Sequence, residues 1–222
     1  MNICNFRKKQ VLLWLAPILT VLFIFGCAGS PDRRHPEFQS RIHPIKTLYL
    51  MPPDALVLEH AVSGGVRPDP ARSREFGDRF AHQVAEQFRL KDYRVMPFSI
   101  DSDRSDIGEI MALYQAVNKS IQLHTYGPSI FPEKCDQFEY SVGALESFLA
   151  RKGADGLLLV RVRDRNTPGR YRTYVSLAVA GTNGDILWYS AGGTKSAVES
   201  RREEPTAKLV QSLVRSFPEA VR

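Results

Sequence analysis

Between residues 45 and 217 the apolar positions change period repeatedly, and each change marks an element. Residues 45–51 form an apolar-rich run closed by Pro52-Pro53, which predicts a strand. Residues 55–66 are ambiguous, with room for a short edge strand before Gly64-Gly65 and the turn at Pro68 and Pro70. Phe76, Phe80, Val84 and Phe88 then recur every four residues, the stripe of a helix laid on a sheet. Residues 93–97 read as a short strand. Ile107, Ile110, Met111, Tyr114, Val117 and Ile121 define a second helix, with Asp106 and Glu109 spaced as a capping box at its start.

Residues 124–137 carry Gly127, Pro128 and Pro132 and read as an inserted loop. Val142, Leu145, Phe148 and Leu149 predict a third helix, ended by Gly153. Leu157, Leu158, Leu159 and Val160 are unbroken, so residues 156–162 suit a central strand covered on both faces. Tyr171, Thr173, Val175, Leu177 and Val179 alternate along the next strand. Asn183-Gly184 turns that strand into another, over residues 186–191. A last helix opens near Pro205, presents Leu209, Val210, Leu213, Val214 and Phe217, and stops at Pro218.

The resulting order is β–α–β–α–α–β–β–β–α, which predicts an α/β, or α+β layered, sandwich with a mixed sheet of about five strands. No period of 20 to 50 residues is present, which excludes a solenoid.

Upstream the pattern is different. Arg7, Lys8 and Lys9 precede an apolar run over residues 11–25 that stops at Gly26-Cys27. Cationic start, short apolar middle and small residue at the cut are the parts of a secretory signal, and the run is shorter than the roughly 20 residues a spanning helix needs. Ile24-Phe25-Gly26-Cys27 resembles the lipobox of bacterial lipoproteins, which implies lipidation of Cys27 and a mature chain starting there. Residues 28–44 are polar, contain three prolines and show no apolar period, so they read as a flexible tether. The expected organisation is signal peptide 1–26, lipidated cysteine and tether 27–44, and one globular domain over 45–222.

Composition adds limits. A hydrophobic share of 43% and a charged share of 24% are ordinary for a folded domain. The formal charge of +6 includes Arg7, Lys8 and Lys9, and the leader carries no acid, so the mature chain is only mildly basic. That balance and the export signal argue against nucleic acid. Beyond the leader and Cys27 only Cys135 remains, so an internal disulfide is impossible. Cys135 is expected to be buried or partly buried.

A family resemblance rests on Lys46-Thr47-Leu48-Tyr49-Leu50-Met51-Pro52-Pro53, on Gly153-Ala154-Asp155-Gly156-Leu157-Leu158-Leu159-Val160, and on Thr182-Asn183-Gly184-Asp185-Ile186-Leu187-Trp188. These pieces resemble bacterial outer-membrane lipoproteins with a CsgG-like or TolB-N-terminal-like domain, over roughly residues 45 to 217. The resemblance implies a non-enzymatic accessory protein of envelope assembly or export, often oligomeric. Ala28 in place of an aspartate implies the outer membrane, on its periplasmic face. The insertion over residues 126–138 and the lack of a long amphipathic hairpin depart from the curli-type channel.

Motifs that would carry chemistry are incomplete in this chain. Ser190-Ala191-Gly192 matches half of a nucleophile elbow, but Trp188 stands where glycine belongs. Gly192-Gly193-Thr194-Lys195-Ser196 lacks the glycine before lysine of a phosphate loop and reads as a turn closing a strand. Asp101, Asp103 and Asp106 lack the glycine of a calcium loop. His35, His43, His60, His82 and His124 have no metal-ligand spacing. No catalytic residue, cofactor or metal is therefore expected.

Arg161, Arg163, Arg165, Arg170 and Arg172 cluster around Thr167-Pro168-Gly169. They read either as a basic hairpin for an anionic partner or as a solvated edge whose charges deter strand pairing. Trp188 reads as core; Tyr189, on the opposite side of the strand, is open to an interface role. The expected function is a membrane-anchored, non-catalytic scaffold or accessory subunit meeting an envelope protein or its own copies. The alternatives are a regulator of a peptidoglycan synthase and a lipid or glycan carrier with an internal pocket.

Overall fold

The computed structural model describes residues 32–60, 64–98, 104–127, 130–167, 170–196 and 203–221. The expected signal peptide, residues 1–26, and the expected lipidation site, Cys27, lie outside these residues. Pro31–Arg222 forms one compact unit. Its elements in chain order are β1 (Asp32–Arg34), α1 (Phe38–Ile42), β2 (Thr47–Leu50), β3 (Asp54–His60), β4 (Val66–Pro68), α2 (Pro70–Arg89), β5 (Arg94–Met96), α3 (Arg104–Ile121), a π-helical turn (Gln122–Tyr126), α4 (Pro132–Asp136), α5 (Glu146–Lys152), β6 (Gly156–Thr167), β7 (Arg170–Ala180), β8 (Ile186–Ser196) and α6 (Glu203–Val214).

The class is mixed α/β, and among the described residues the sheet has eight strands rather than about five. Its main path is β1-β8-β7-β6-β2-β5, with β3 on β6 and β4 on β3. Strands β2 and β3 pair in parallel with the same edge of β6, at Gly156–Leu158 and Arg161–Arg165 respectively. Pro52 and Pro53 separate them because neither can donate to the ladder. This is how the ambiguous residues 55–66 resolve: β3 is a true strand, and Gly64 and Gly65, both at positive φ, return the chain into β4.

Alternation along β6, β7 and β8 divides the core into two layers. Leu158, Val160, Val162, Val175, Leu177, Val179 and Trp188 pack under α1, α2 and α6. Leu157, Leu159, Ala178, Ala180 and Tyr189 pack under α3 and α5. The unbroken apolar run of β6 is thus covered on both faces, as its composition requires. Helix α2 supplies Phe76, Phe80, Val84 and Phe88 to the first layer, and its Asp69 cap accepts from Arg72 N at 3.0 Å. Gly153 closes α5 in the left-handed region (φ 63°). Gly184 also has positive φ (86°), and a Cβ there would sit 1.6 Å from the Gly143 carbonyl oxygen.

Several expectations need correction. The tether does not reach residue 44. Asp32–Arg34 pairs with Trp188–Ser190 at the sheet edge, and Phe38 and Ile42 are buried in the core. Polar composition hid this because only these two apolar side chains of α1 are needed to anchor it. Asp106 lies inside the first turn of α3 rather than capping it, and it pairs with Arg151. Residues 124–137 contain the π turn and α4 instead of plain loop. Val142 precedes α5 and donates its N–H to Gly184 O at 2.9 Å. Residues 192–196 continue β8 and form no turn. Tyr189 is fully buried, so it is core and not an interface platform.

Candidate functional site

The hairpin arginines separate into two groups by what stands opposite them. Register places Asp54 of β3 against Arg161 of β6. Arg163 Nη2 donates to Asp54 Oδ2 at 2.7 Å, and its Nη1 donates to the Asp54 and Val162 carbonyls at 2.7 and 2.8 Å. Arg161 Nε lies 3.4 Å from the same Asp54 oxygen. Burial, and then the charge of Arg163, holds the Arg161 guanidinium below the usual arginine range, with Asp54 opposing the shift. These two arginines are therefore tied into the sheet by one carboxylate more than a hundred positions away in the chain.

Beside them a cleft of about 270 Å³ opens between α3 and the sheet, lined in part by Lys119, Arg161 and Arg163. Its floor is a buried polar network. Ser176 Oγ and Tyr189 OH both donate to Asn118 Oδ1 at 2.8 Å, and Tyr174 OH donates to Gln122 Oε1 at 2.5 Å. Gln122 Nε2 completes the chain by donating to Tyr189 OH. Burial raises the hydroxyls of Tyr174 and Tyr189 above the ordinary tyrosine value, so both stay neutral donors.

Arg165 and Arg172 form the second group. Register sets Arg165 opposite Arg172, and Arg172 opposite Lys195 of β8. The three cations form one row across three neighbouring strands, on the same face as Arg161 and Arg163. All three are exposed, and none makes an ion pair among the described residues. Like charges directly opposite each other disfavour a sheet. Arg170 belongs to β7, but its side chain lies outside the described residues. Lys195 is the residue sequence reasoning missed. Counting outward equally from Pro168-Gly169 and from Asn183-Gly184 would have aligned Arg165, Arg172 and Lys195.

Other candidates disperse. Ser190 is fully buried inside β8, which removes it as a nucleophile. Among the described residues no group of three His, Cys, Asp or Glu side chains is placed to hold a metal. Asp101 and Asp103 lie outside those residues. Cys135 is a free, half-buried thiol. No helix among the described residues is long and apolar enough to cross a membrane.

No family model matches the chain, and no curated protein matches its sequence. Three solved structures show a partial likeness. The PelC dodecamer from Paraburkholderia phytofirmans is 10% identical, with 86% of this chain and 96% of that one covered at a TM-score of 0.45. Lipoprotein GNA1162 from Neisseria meningitidis is 12% identical, with 78% and 96% covered at 0.41. The LpoB C-terminal domain from Salmonella enterica is 10% identical, with 71% and 98% covered at 0.27.

Proposed function

We propose that this chain is a lipoprotein anchored through Cys27 at the periplasmic face of the outer membrane. It acts there as a non-catalytic scaffold or accessory subunit of envelope assembly or export, through contacts with envelope proteins or with its own copies. The observation that carries the reading is the leader ending in Ile24-Phe25-Gly26-Cys27, followed within five residues by a strand of the folded body. Each buried methylene of an acyl chain contributes about 0.8 kcal/mol, so two or more chains hold a protein at the membrane essentially permanently. A body joined so directly to its anchor works at the bilayer surface.

That short link weighs against a regulator that must cross to a peptidoglycan synthase. The carrier reading needs a continuous apolar cavity. Among the described residues two apolar layers pack between the sheet and its helices, and the clefts beside them are of mixed lining, the one between β8 and α6 combining Leu209 and Leu213 with Ser212 and Arg215.

Intact mass analysis of the protein extracted from its native membrane tests the anchor. The expected result is a chain beginning at Cys27 with acyl chains attached, and Cys27→Ser leaves the membrane fraction or accumulates as precursor. An unmodified Cys27 with residues 1–26 still joined overturns the reading. Cross-linking in intact cells then separates self-contacts from contacts with an envelope partner.

A further inference from the structure

We infer that the Arg165–Arg172–Lys195 row is a membrane-facing surface that seats the domain on anionic phospholipid headgroups. The inference rests on the lipid-anchor reading and adds the orientation and the lipid chemistry.

Two observations converge. The first is that two of the three cations stand on strands paired on both sides, whereas Lys195 lies on the stretch of β8 that β1 does not reach. β7 is flanked by β6 and β8, and β6 carries β3 as far as Arg165. Charges that deter edge pairing belong on edge strands, so that role does not account for Arg165 and Arg172.

The second is the chemistry of the face. Arg163, tied to Asp54, is the last strand residue of that face whose charge is balanced. Further out, the described strand positions carry Arg165, Arg172 and Lys195 with Leu58, His60, Val66 and Pro68, and no carboxylate. Val66 is 38% exposed. Cations beside half-buried and exposed aliphatic side chains match the phosphate layer and the acyl boundary beneath it.

The test uses the lipid-free chain 28–222, which retains the whole compact unit, sedimented with vesicles of phosphatidylcholine alone or with 30% phosphatidylglycerol. Binding is expected only to the anionic vesicles and is expected to fall as salt rises. At roughly fivefold per cation near the surface, Arg165→Gln, Arg172→Gln and Lys195→Gln together weaken it on the order of a hundredfold. Arg165→Lys with Arg172→Lys preserves it, and circular dichroism confirms that each variant is folded. Equal binding to both vesicles, no binding, or an unaffected triple variant overturns the inference. Capture of an acidic protein by a cross-linker at residue 172, without vesicle binding, overturns it in favour of that partner. Acylated Cys27 with no vesicle selectivity sinks this inference alone; unmodified Cys27 with selective binding sinks the anchor alone.

Discussion

Trp188 donates its indole N–H to Asp32 Oδ2 at 3.1 Å, joining two residues 156 positions apart in the chain. The same carboxylate oxygen accepts from Arg34 Nε at 2.9 Å, and the Asp32 side chain is almost wholly buried. One carboxylate thus satisfies the buried polar atom of the largest core side chain and fixes the entry of the chain into the sheet. Asp32→Ala leaves that N–H without its acceptor and is expected to cost about 1–3 kcal/mol in urea unfolding. Asp32→Asn keeps an acceptor oxygen and should cost less. Trp188 is the only tryptophan beyond the leader, so its fluorescence reports the transition directly.

Phe38 meets Phe217 edge-on at 6.1 Å, and Phe217 in turn lies 4.9 Å from both Phe88 and Trp188. Phe38→Ala opens this aromatic cluster and is expected to destabilise by about 3–5 kcal/mol. A residue in a flexible tether would be neutral to the same change. Thermal or urea unfolding of the lipid-free chain distinguishes the two outcomes.

Asp54 and Arg163 are each less than a third exposed, and their contact is a charge-assisted hydrogen bond. A double-mutant cycle with Asp54→Asn and Arg163→Gln should return a coupling of about 1–3 kcal/mol. Arg165→Gln, on the exposed row, should change stability by no more than about 0.5 kcal/mol. Similar losses at both arginines would contradict the division between structural and surface cations.

Burial pushes the Tyr93 hydroxyl up to about 12 from 10.0, and the same cause raises those of Tyr114, Tyr126, Tyr174 and Tyr189. A phenol that ionises more readily when unfolded favours folding below its unfolded value. That contribution is complete below about pH 10 and falls as pH rises through the folded value of Tyr93. Phenolate absorbance should therefore appear together with loss of near-ultraviolet dichroism above pH 10. A full titration of these tyrosines at pH 10 with the dichroism intact would contradict their burial.

The helices of residues 70–89 and 203–214 and the central strand from Gly156 were legible because local periodicity and burial agree there: a stripe or an unbroken run has few ways to be covered. β1 and α1 were not legible. Three polar residues become a strand only when the edge of β8 is available, and two apolar side chains suffice for α1 only when Phe217 and its neighbours wait beneath. β3 was ambiguous for the same reason, since Pro52-Pro53 break the pattern and only the free edge of β6 restores it.

The candidate site followed the same division. The sequence by itself determined the cationic and then apolar start that ends at Cys27, the mixed α/β class and a density of arginine near residue 165, because each is a local property of composition or spacing. Tertiary structure alone decided that Arg161 and Arg163 share Asp54 while Arg165 and Arg172 align with Lys195. Charge pairing depends on strand register, and register is set by which faces are buried across the whole sheet.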